Sequence, residues 1–309
     1  MTKSIVVYFS QTGNTKKIAE AIRSGMIRTM GECDISTLKT IGVKDLIKYD
    51  LIGLGYPTWS SKEPPNVRTF VEQMVFMEGK HIFVFSTHGA RPAGLISSIV
   101  PLLRQKGLTV IGFRDWYGSV TLPHMPKPYL TDGHPDEIDL KEAEDFGRET
   151  AELSRRIQSG ENYLIPLLTD KSDKELHGQR EKTPTDLIEA RRIAKTQMRI
   201  NLEKCTECNL CVQNCPVNAI DFTVSPPVFK VDLCVPCWFC EQICPTGAIE
   251  VDWEALTRVY DKHNEIELNA TLDAAEARGC FRRLVPREDI KWGAQYWYQL
   301  SKYPRIIIS

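Results

Sequence analysis

The chain has 309 residues, of which 42% are hydrophobic and 26% charged, and its formal net charge at pH 7 is −1. This composition is that of a globular protein with one or two domains, and the balanced charge excludes a global electrostatic attraction to nucleic acid or to an anionic membrane. No apolar run approaches the roughly 18 residues of a membrane span, and the opening residues lack a signal-peptide pattern. We therefore expect a cytoplasmic protein that does not insert into membranes.

Residues 1–160 alternate between strand-like and helix-like segments. Near-continuous apolar runs of strand length are separated by stretches with helical spacing, which is typical of a parallel sheet covered by helices on both faces. The predicted strands are 4–10, 34–38, 50–55, 81–86 and 108–113, and helices are predicted after residue 15 and near 66–77, 94–106 and 140–157.

Residues 161–198 are dense in charged side chains, and their apolar spacing is weak. Thr183, Pro184 and Asp186 offer an N-cap, a first-position proline and a first-turn acid, which predict one helix over about 183–196. We interpret the segment as a charged linker with one helix, whose charges lie on a solvated face.

Residues 199–253 contain an internal repeat with a period of 29 residues. Each copy has the spacing C-x2-C-x2-C-x3-C-P and is followed by Ala-Ile. The first copy consists of Cys205, Cys208, Cys211 and Cys215, and the second of Cys234, Cys237, Cys240 and Cys244.

Cysteine runs of this spacing hold [4Fe–4S] clusters, and where two runs occur the fourth cysteine of each binds the cluster of the other run. The short spacings let three thiolates reach three irons of one cluster, and the fourth thiolate is carried to the neighbouring cluster. We therefore assign Cys205, Cys208, Cys211 and Cys244 to one cluster and Cys234, Cys237, Cys240 and Cys215 to the other. The alternative, two zinc sites, would use paired C-x2-C knuckles.

Over residues 199–253 the chain resembles the two-cluster bacterial ferredoxins, since both motifs are complete. The resemblance implies a small α+β domain that transfers single electrons at low potential. The segment has seven acidic and three basic residues, and negative charge around a cluster lowers its potential. Trp238 and Phe239 stand between cysteines and are expected to shield a cluster from water.

The segment between the first predicted strand and the first helix is rich in hydroxyl groups. A loop at this position presents backbone amides at a helix N-terminus and can bind an anion, although such loops also serve as simple helix caps. It is neither a Walker A loop nor a dinucleotide-binding glycine motif. The candidate phosphate-binding residues are Ser10, Gln11, Thr12, Gly13, Asn14 and Thr15.

Residues 1–160 resemble the flavodoxin family, through the phosphate loop and two further loops that follow the third and fourth strands. The resemblance implies a doubly wound, five-stranded parallel sheet that binds FMN, with no cationic partner for the phosphate. In this family an aromatic residue after the third strand covers the flavin ring, which indicates Trp59, unless Trp59 is a core aromatic. The flavin-loop candidates are Pro57, Thr58, Trp59, Thr87, His88 and Gly89.

The second flavin loop departs from the family pattern. Flavodoxins often stack a second aromatic from this loop, whereas here it offers Gly89, Ala90 and Arg91. The second flavin face is therefore open, or is covered by Trp116, Tyr117 or another domain. His88 and Arg91 either stabilise an anionic reduced flavin or are plain surface residues.

Residues 1–253 together resemble the flavodoxin–ferredoxin fusion proteins of anaerobic bacteria and archaea. We expect an electron carrier that holds FMN and two [4Fe–4S] clusters and exchanges electrons with redox partner proteins, in an oligomeric state that the sequence leaves open. The alternative is an FMN-dependent oxidoreductase acting on a quinone or a porphyrinogen. For such an enzyme, His88, Tyr117 and His124 are candidate proton-transfer residues, and no catalytic constellation is identified.

Residues 254–309 form a C-terminal extension that is basic at 278–291 and aromatic beyond it. We expect it to pack on the domains, the alternative being a mobile arm or a partner-binding surface. Two cysteines lie outside the repeat: Cys33 is expected to be a core residue, and Cys280 an inert thiol.

Overall fold

The computed structural model of the chain describes residues 3–59, 61–92, 94, 98–168, 185–196, 198–225 and 227–292. The chain divides into two compact units. The first unit comprises Met1–Ser119 and Thr131–Arg180, and the second comprises Val120–Leu130 and Glu181–Ser309. In the described ranges, none of the helices combines the length and the apolar character that a membrane crossing needs.

The first unit is built on a five-stranded sheet in which every pair of neighbours is parallel. The strand order is β2-β1-β3-β4-β5, and this confirms the predicted doubly wound α/β fold. All eight residues of β4 are buried, as expected for a sheet covered on both faces. The strands are β1 (Ser4–Tyr8), β2 (Asp34–Thr37), β3 (Leu51–Pro57), β4 (His81–His88) and β5 (Thr109–Tyr117).

Helices cover both faces of this sheet. One layer contains Leu46 of the 3-10 helix Val43–Lys48, with residues of α2 and α3. The other layer contains residues of α1 and α4, among them Ile22 and Ala151. The helices are α1 (Asn14–Met30), α2 (Pro65–Gln73), α3 (Val100–Gln105) and α4 (Glu137–Gln158), and a second 3-10 helix spans Asn162–Leu164.

The backbones of α1 and α4 approach each other closely at two glycines. A Cβ atom added at Gly25 would overlap the carbonyl oxygen of Glu144, and one added at Gly147 would overlap the carbonyl oxygen of Ile22. Glycine is therefore required on both helices, because any side chain would push them apart. This contact fixes α1, whose N-terminus follows the predicted phosphate loop.

The second unit contains short strands and helices that repeat with the cysteine runs, as expected for a small α+β domain. Strand β6 pairs antiparallel with β9, and β7 pairs antiparallel with β8. Its elements are α5 (Thr185–Thr196), β6 (Arg199–Ile200), α6 (Leu210–Gln213), β7 (Ile220–Asp221), β8 (Val228–Phe229), α7 (Phe239–Ile243), β9 (Ile249–Glu250) and α8 (Trp253–Ala277), and a 3-10 helix spans Arg287–Asp289.

Two features of the second unit were not anticipated from the sequence. The helix α8 has 25 residues in a region without strong periodicity, and its buried face includes Leu268, Leu272 and Ala275. Residues 120–130 group with the second unit, although they lie in sequence within residues 1–160. Most of the predicted aromatic tail, with Tyr296, Trp297, Tyr298 and Tyr303, lies outside the described residues, and the four-part domain division stays a prediction.

The close contact of α1 and α4 predicts the effect of a single methyl group. Gly147→Ala should lower the free energy of unfolding of the first unit by roughly 1–3 kcal/mol, because overpacking forces the two backbones apart. Urea unfolding of the full-length protein measures this change. Glu152→Ala, an exposed position on the same helix, is the control and should change stability by less than about 0.5 kcal/mol. An equal effect of both substitutions would contradict the prediction.

Candidate functional site

The loop that joins β1 to α1 leaves a helix N-terminus open to an anion. The N-cap residue Gly13 has a left-handed backbone, with a φ of 97°, and no side chain of the described residues caps the helix. The first turn contains no acidic residue. The Gly13 amide donates a hydrogen bond to Ser10 Oγ at 3.2 Å, which folds the loop. The first-turn amides and the positive end of the helix dipole are thus directed at one place, as in other anion sites.

Hydrogen bonds join this loop to the ends of β4 and β5. Thr15 Oγ1 and Thr87 Oγ1 are 2.7 Å apart and buried. The Asn14 side-chain amide donates to the carbonyl of Ser119 at 2.8 Å, so Asn14 supports the loop after β5. The structure therefore brings together the phosphate-loop candidates and one of the flavin-loop candidates.

The loop after β3 lies beside the same strand end. The Thr58 amide donates to the Thr87 carbonyl at 2.8 Å. Trp59 and Lys62 exchange two backbone hydrogen bonds, of 2.9 and 3.0 Å. The Trp59 ring packs edge-on against Phe9, with ring centroids 5.6 Å apart, and is partly buried. Trp59 is therefore anchored on the core and retains an exposed part.

Two hydroxyl groups near these loops lack a hydrogen-bond partner within the described part of the chain. They are Thr58 Oγ1 and Ser86 Oγ, and both are inaccessible to solvent. A buried hydroxyl without a partner is costly, and a polar ligand would remove this cost. Together with the uncapped N-terminus of α1, these groups fit a ligand that has both a phosphate and polar ring edges.

His88 is a buried and oriented histidine, so its interpretation as a plain surface residue is wrong. Its Nδ1 lies 2.6 Å from the Gly89 carbonyl oxygen, which only accepts hydrogen bonds, so Nδ1 carries the hydrogen. Its Nε2 lies 3.6 Å from the Asp115 carboxylate, and its ring is 4.6 Å from that of Tyr117. Trp116 is 3% exposed and packs on Phe146 in the core, which excludes it as a cover for the flavin.

The eight repeat cysteines line two separate cavities in the second unit. The first cavity is lined by Cys205, Cys208, Cys211 and Cys244, and the second by Cys215, Cys234, Cys237 and Cys240. Each has a volume of about 360 Å³, including its opening to solvent. Each cavity thus contains three cysteines of one run and the fourth cysteine of the other run. Four thiols around one cavity are the donor set of a [4Fe–4S] cluster.

The backbone reproduces the repeat around the fourth cysteine of each run. The Ala219 amide donates to Cys215 Sγ at 3.1 Å, and the Ala248 amide donates to Cys244 Sγ at 3.2 Å. The fourth cysteine of each run therefore accepts the same backbone hydrogen bond at its sulfur atom. Hydrogen bonds to sulfur tune the reduction potential of a cluster.

Burial makes several of these thiols poor acids in the absence of a metal. Burial raises the pKa of Cys211 to about 11, and burial with the neighbouring Cys237 raises the pKa of Cys234 to about 12. Such thiols are unreactive as nucleophiles and must release protons when they bind iron. Outside the cavities, Cys33 is a buried core residue whose pKa burial raises to about 11, and Cys280 is exposed.

Two family models match the chain, one in each unit. Residues 5–97 match the model described as a flavodoxin domain, and residues 198–221 match the model described as a 4Fe-4S binding domain. The chain joins a flavodoxin domain to a 4Fe–4S binding domain. This confirms the predicted fusion, and the iron–sulfur match covers the first cysteine run.

Several similar proteins each align with about half of the chain. A flavodoxin of Aquifex aeolicus is 28% identical over 175 residues, which are 53% of this chain and 94% of the relative. An NAD(P)H dehydrogenase (quinone) of Archaeoglobus fulgidus is 23% identical over 201 residues, covering 51% of this chain and all of the relative. The solved structure of an archaeal flavodoxin is 24% identical, with a TM-score of 0.40, and covers 50% of this chain and 99% of its own.

The two domains together set the general class of the protein. A flavodoxin domain implies FMN, and the iron–sulfur motif implies a 4Fe–4S cluster. The fusion is therefore an electron-transfer flavo-iron–sulfur protein.

The cysteines that line each cavity predict which cluster the fourth cysteine of each run binds. Cys208→Ser and Cys215→Ala should each remove one cluster, about four irons per chain, and the double variant should lose all iron, because the two residues line different cavities. Iron analysis of anaerobically purified protein measures this loss, with Cys280→Ala as a control. A double variant that retains about four irons would place Cys208 and Cys215 on one cluster and refute the crossed assignment.

The partly exposed ring of Trp59 predicts a stacking role. Trp59→Ala should weaken FMN binding through the loss of buried apolar area and, in addition, by about 0.5–1.5 kcal/mol through the loss of aromatic stacking. Flavin fluorescence should rise, because a stacked indole quenches it. Trp59→Phe retains an aromatic ring and should lose less affinity. Titration of the flavin-free protein with FMN measures both. Unchanged affinity and fluorescence in Trp59→Ala would show that this ring only packs on the core.

Proposed function

We propose that the protein is a cytoplasmic electron carrier that passes low-potential electrons between two [4Fe–4S] clusters and FMN, and on to redox partner proteins. The proposal is carried by one observation: the second unit lines two cavities with four cysteines each, in a chain that also contains a flavodoxin domain. When bound, the clusters exchange single electrons and FMN exchanges one or two, so such a chain can interconvert one-electron and two-electron transfers.

The residues of the first unit are suited to hold FMN without a cationic side chain. The amides at the start of α1 and the hydroxyls of Ser10, Thr12 and Thr15 would bind the phosphate. Trp59 would cover one face of the ring, and Thr58 has a buried hydroxyl available to a ring edge. The remaining candidates, Gln11, Pro57 and Gly89, would contribute backbone to the same loops.

A second candidate function is an FMN-dependent oxidoreductase for a small organic substrate such as a quinone or a porphyrinogen. Two observations favour it: the relative described as an NAD(P)H dehydrogenase (quinone), and the buried His88, whose Nε2 lies 3.6 Å from a carboxylate. A histidine oriented in this way can hold or move a proton at Nε2. His124, the other candidate histidine, groups with the second unit.

The test is cofactor analysis followed by kinetics on full-length protein purified anaerobically. We expect one FMN and about eight irons per chain, and flavin and cluster absorbance should change together after rapid mixing with a reductant. The Cys208→Ser/Cys215→Ala protein should still bind the flavin. After mixing with the reductant, its flavin absorbance should change without any accompanying change in iron–sulfur absorbance.

Turnover separates the two candidate functions. Catalysed electron transfer from the chemical reductant to a quinone without any protein partner, abolished by His88→Ala, would favour the oxidoreductase. Slow turnover of small acceptors together with fast exchange with redox proteins supports the carrier. About four irons per chain, or FAD in place of FMN, would contradict the proposed cofactors.

A further inference from the structure

The two cysteine runs correspond residue by residue, yet their cavities are covered differently. Asn209 and Trp238 occupy the same place in the repeat, and each has a left-handed backbone with a φ of 58°. Asparagine adopts this conformation readily, whereas a bulky aromatic rarely does. Asn209 is exposed, but Trp238 is 2% exposed and lines the second cavity. The left-handed backbone conformation of Trp238 is therefore accompanied by burial of its side chain, whereas Asn209 at the same place in the first run is not buried.

Two further rings provide this packing. Trp253, the first residue of α8, lies 5.1 Å from Trp238 between ring centroids, with an interplanar angle of 70°. His124 lies 6.3 Å from Trp238 at 82° and 5.7 Å from Trp253 at 22°. These distances and tilts are those of favourable aromatic contacts. We call His124, Trp238 and Trp253 the three-ring cluster.

The histidine of the three-ring cluster comes from Val120–Leu130, the segment that groups with the second unit. Its side chain is fully buried. Burial lowers the pKa of His124 to about 3, and the positive charge of Arg191 acts in the same direction. The imidazole is therefore neutral, and it contributes volume and aromatic surface to the cluster without adding a charge.

We propose that His124 is a positioning residue that completes a water-excluding cover over a [4Fe–4S] cluster in the second cavity. This inference rests on the proposed function, since it requires a cluster bound by Cys215, Cys234, Cys237 and Cys240. Adding an electron to a cluster adds negative charge, which water stabilises, so excluding water lowers the reduction potential. Cys208 at the first cavity is exposed. The covered second cluster therefore has the lower potential and the longer lifetime in oxygen.

The test is an anaerobic redox titration of full-length, fully loaded His124→Ala, followed by EPR. At a fixed ambient potential the reduced-to-oxidised ratio of the second cluster should rise about tenfold, which is 59 mV for one electron. The first cluster should be unchanged. In air, the second cluster of the variant should be lost faster than that of the wild type. His124→Phe retains a ring at this place and should restore most of the wild-type potential and lifetime.

Two controls assign the effect to the His124 ring. Met125→Ala removes a buried neighbour in the same segment and should leave both potentials unchanged. In a Cys208→Ser background, which keeps only the second cluster, the shift caused by His124→Ala should persist. Equal shifts of both clusters, a shift in Met125→Ala as large as that in His124→Ala, or no shift at all would overturn the inference.

Iron content separates this inference from the proposed function. About four irons per wild-type chain would contradict the two-cluster proposal and this inference with it. About eight irons, with unchanged potentials and lifetimes in His124→Ala, would contradict the role of His124 alone.

Discussion

Each cavity of the second unit draws one of its four sulfur atoms from the other cysteine run. Neither run therefore surrounds a cavity with four sulfur atoms by itself. This constraint suits a unit whose paired strands β6 to β9 have two residues each, because so little regular structure supplies few ladder hydrogen bonds. In small domains of this kind, the free energy of metal binding is part of the free energy of folding.

The first unit differs from the second, because it has a large hydrophobic core and its candidate site consists of loops. The parallel strands β1, β3 and β4 lie side by side, so their carboxyl ends meet at one edge, where ligands bind in open α/β sheets. Thr87 connects the loops there, through its hydroxyl to Thr15 and through its carbonyl to the Thr58 amide. The position of each loop thus depends on the others as well as on the sheet.

Structural features that a recognisable sequence motif specifies were predictable from the sequence, and contacts between residues far apart in the chain were not. The apolar runs located all five strands, because strand patterning is local. The cysteine spacing indicated which thiols share a cavity, because paired runs of this spacing exchange their fourth cysteines. The sequence did not predict the helix α8, because its apolar residues show no strong periodicity, although Leu268, Leu272 and Ala275 lie on its buried face. The sequence indicated His124 only as a candidate proton-transfer residue of an FMN-dependent enzyme. Its ring contacts instead involve Trp238 and Trp253, more than a hundred residues further along the chain.

The placement of residues 120–130 has a consequence for how the protein can be divided. The polypeptide passes from the first unit to the second after Ser119, returns at Thr131, and passes over again after Arg180. A single cut in the linker would therefore leave eleven residues of the second unit attached to the first. Fusing a free-standing flavodoxin to a free-standing ferredoxin end to end would not reproduce this arrangement, because one partner must also carry an inserted loop.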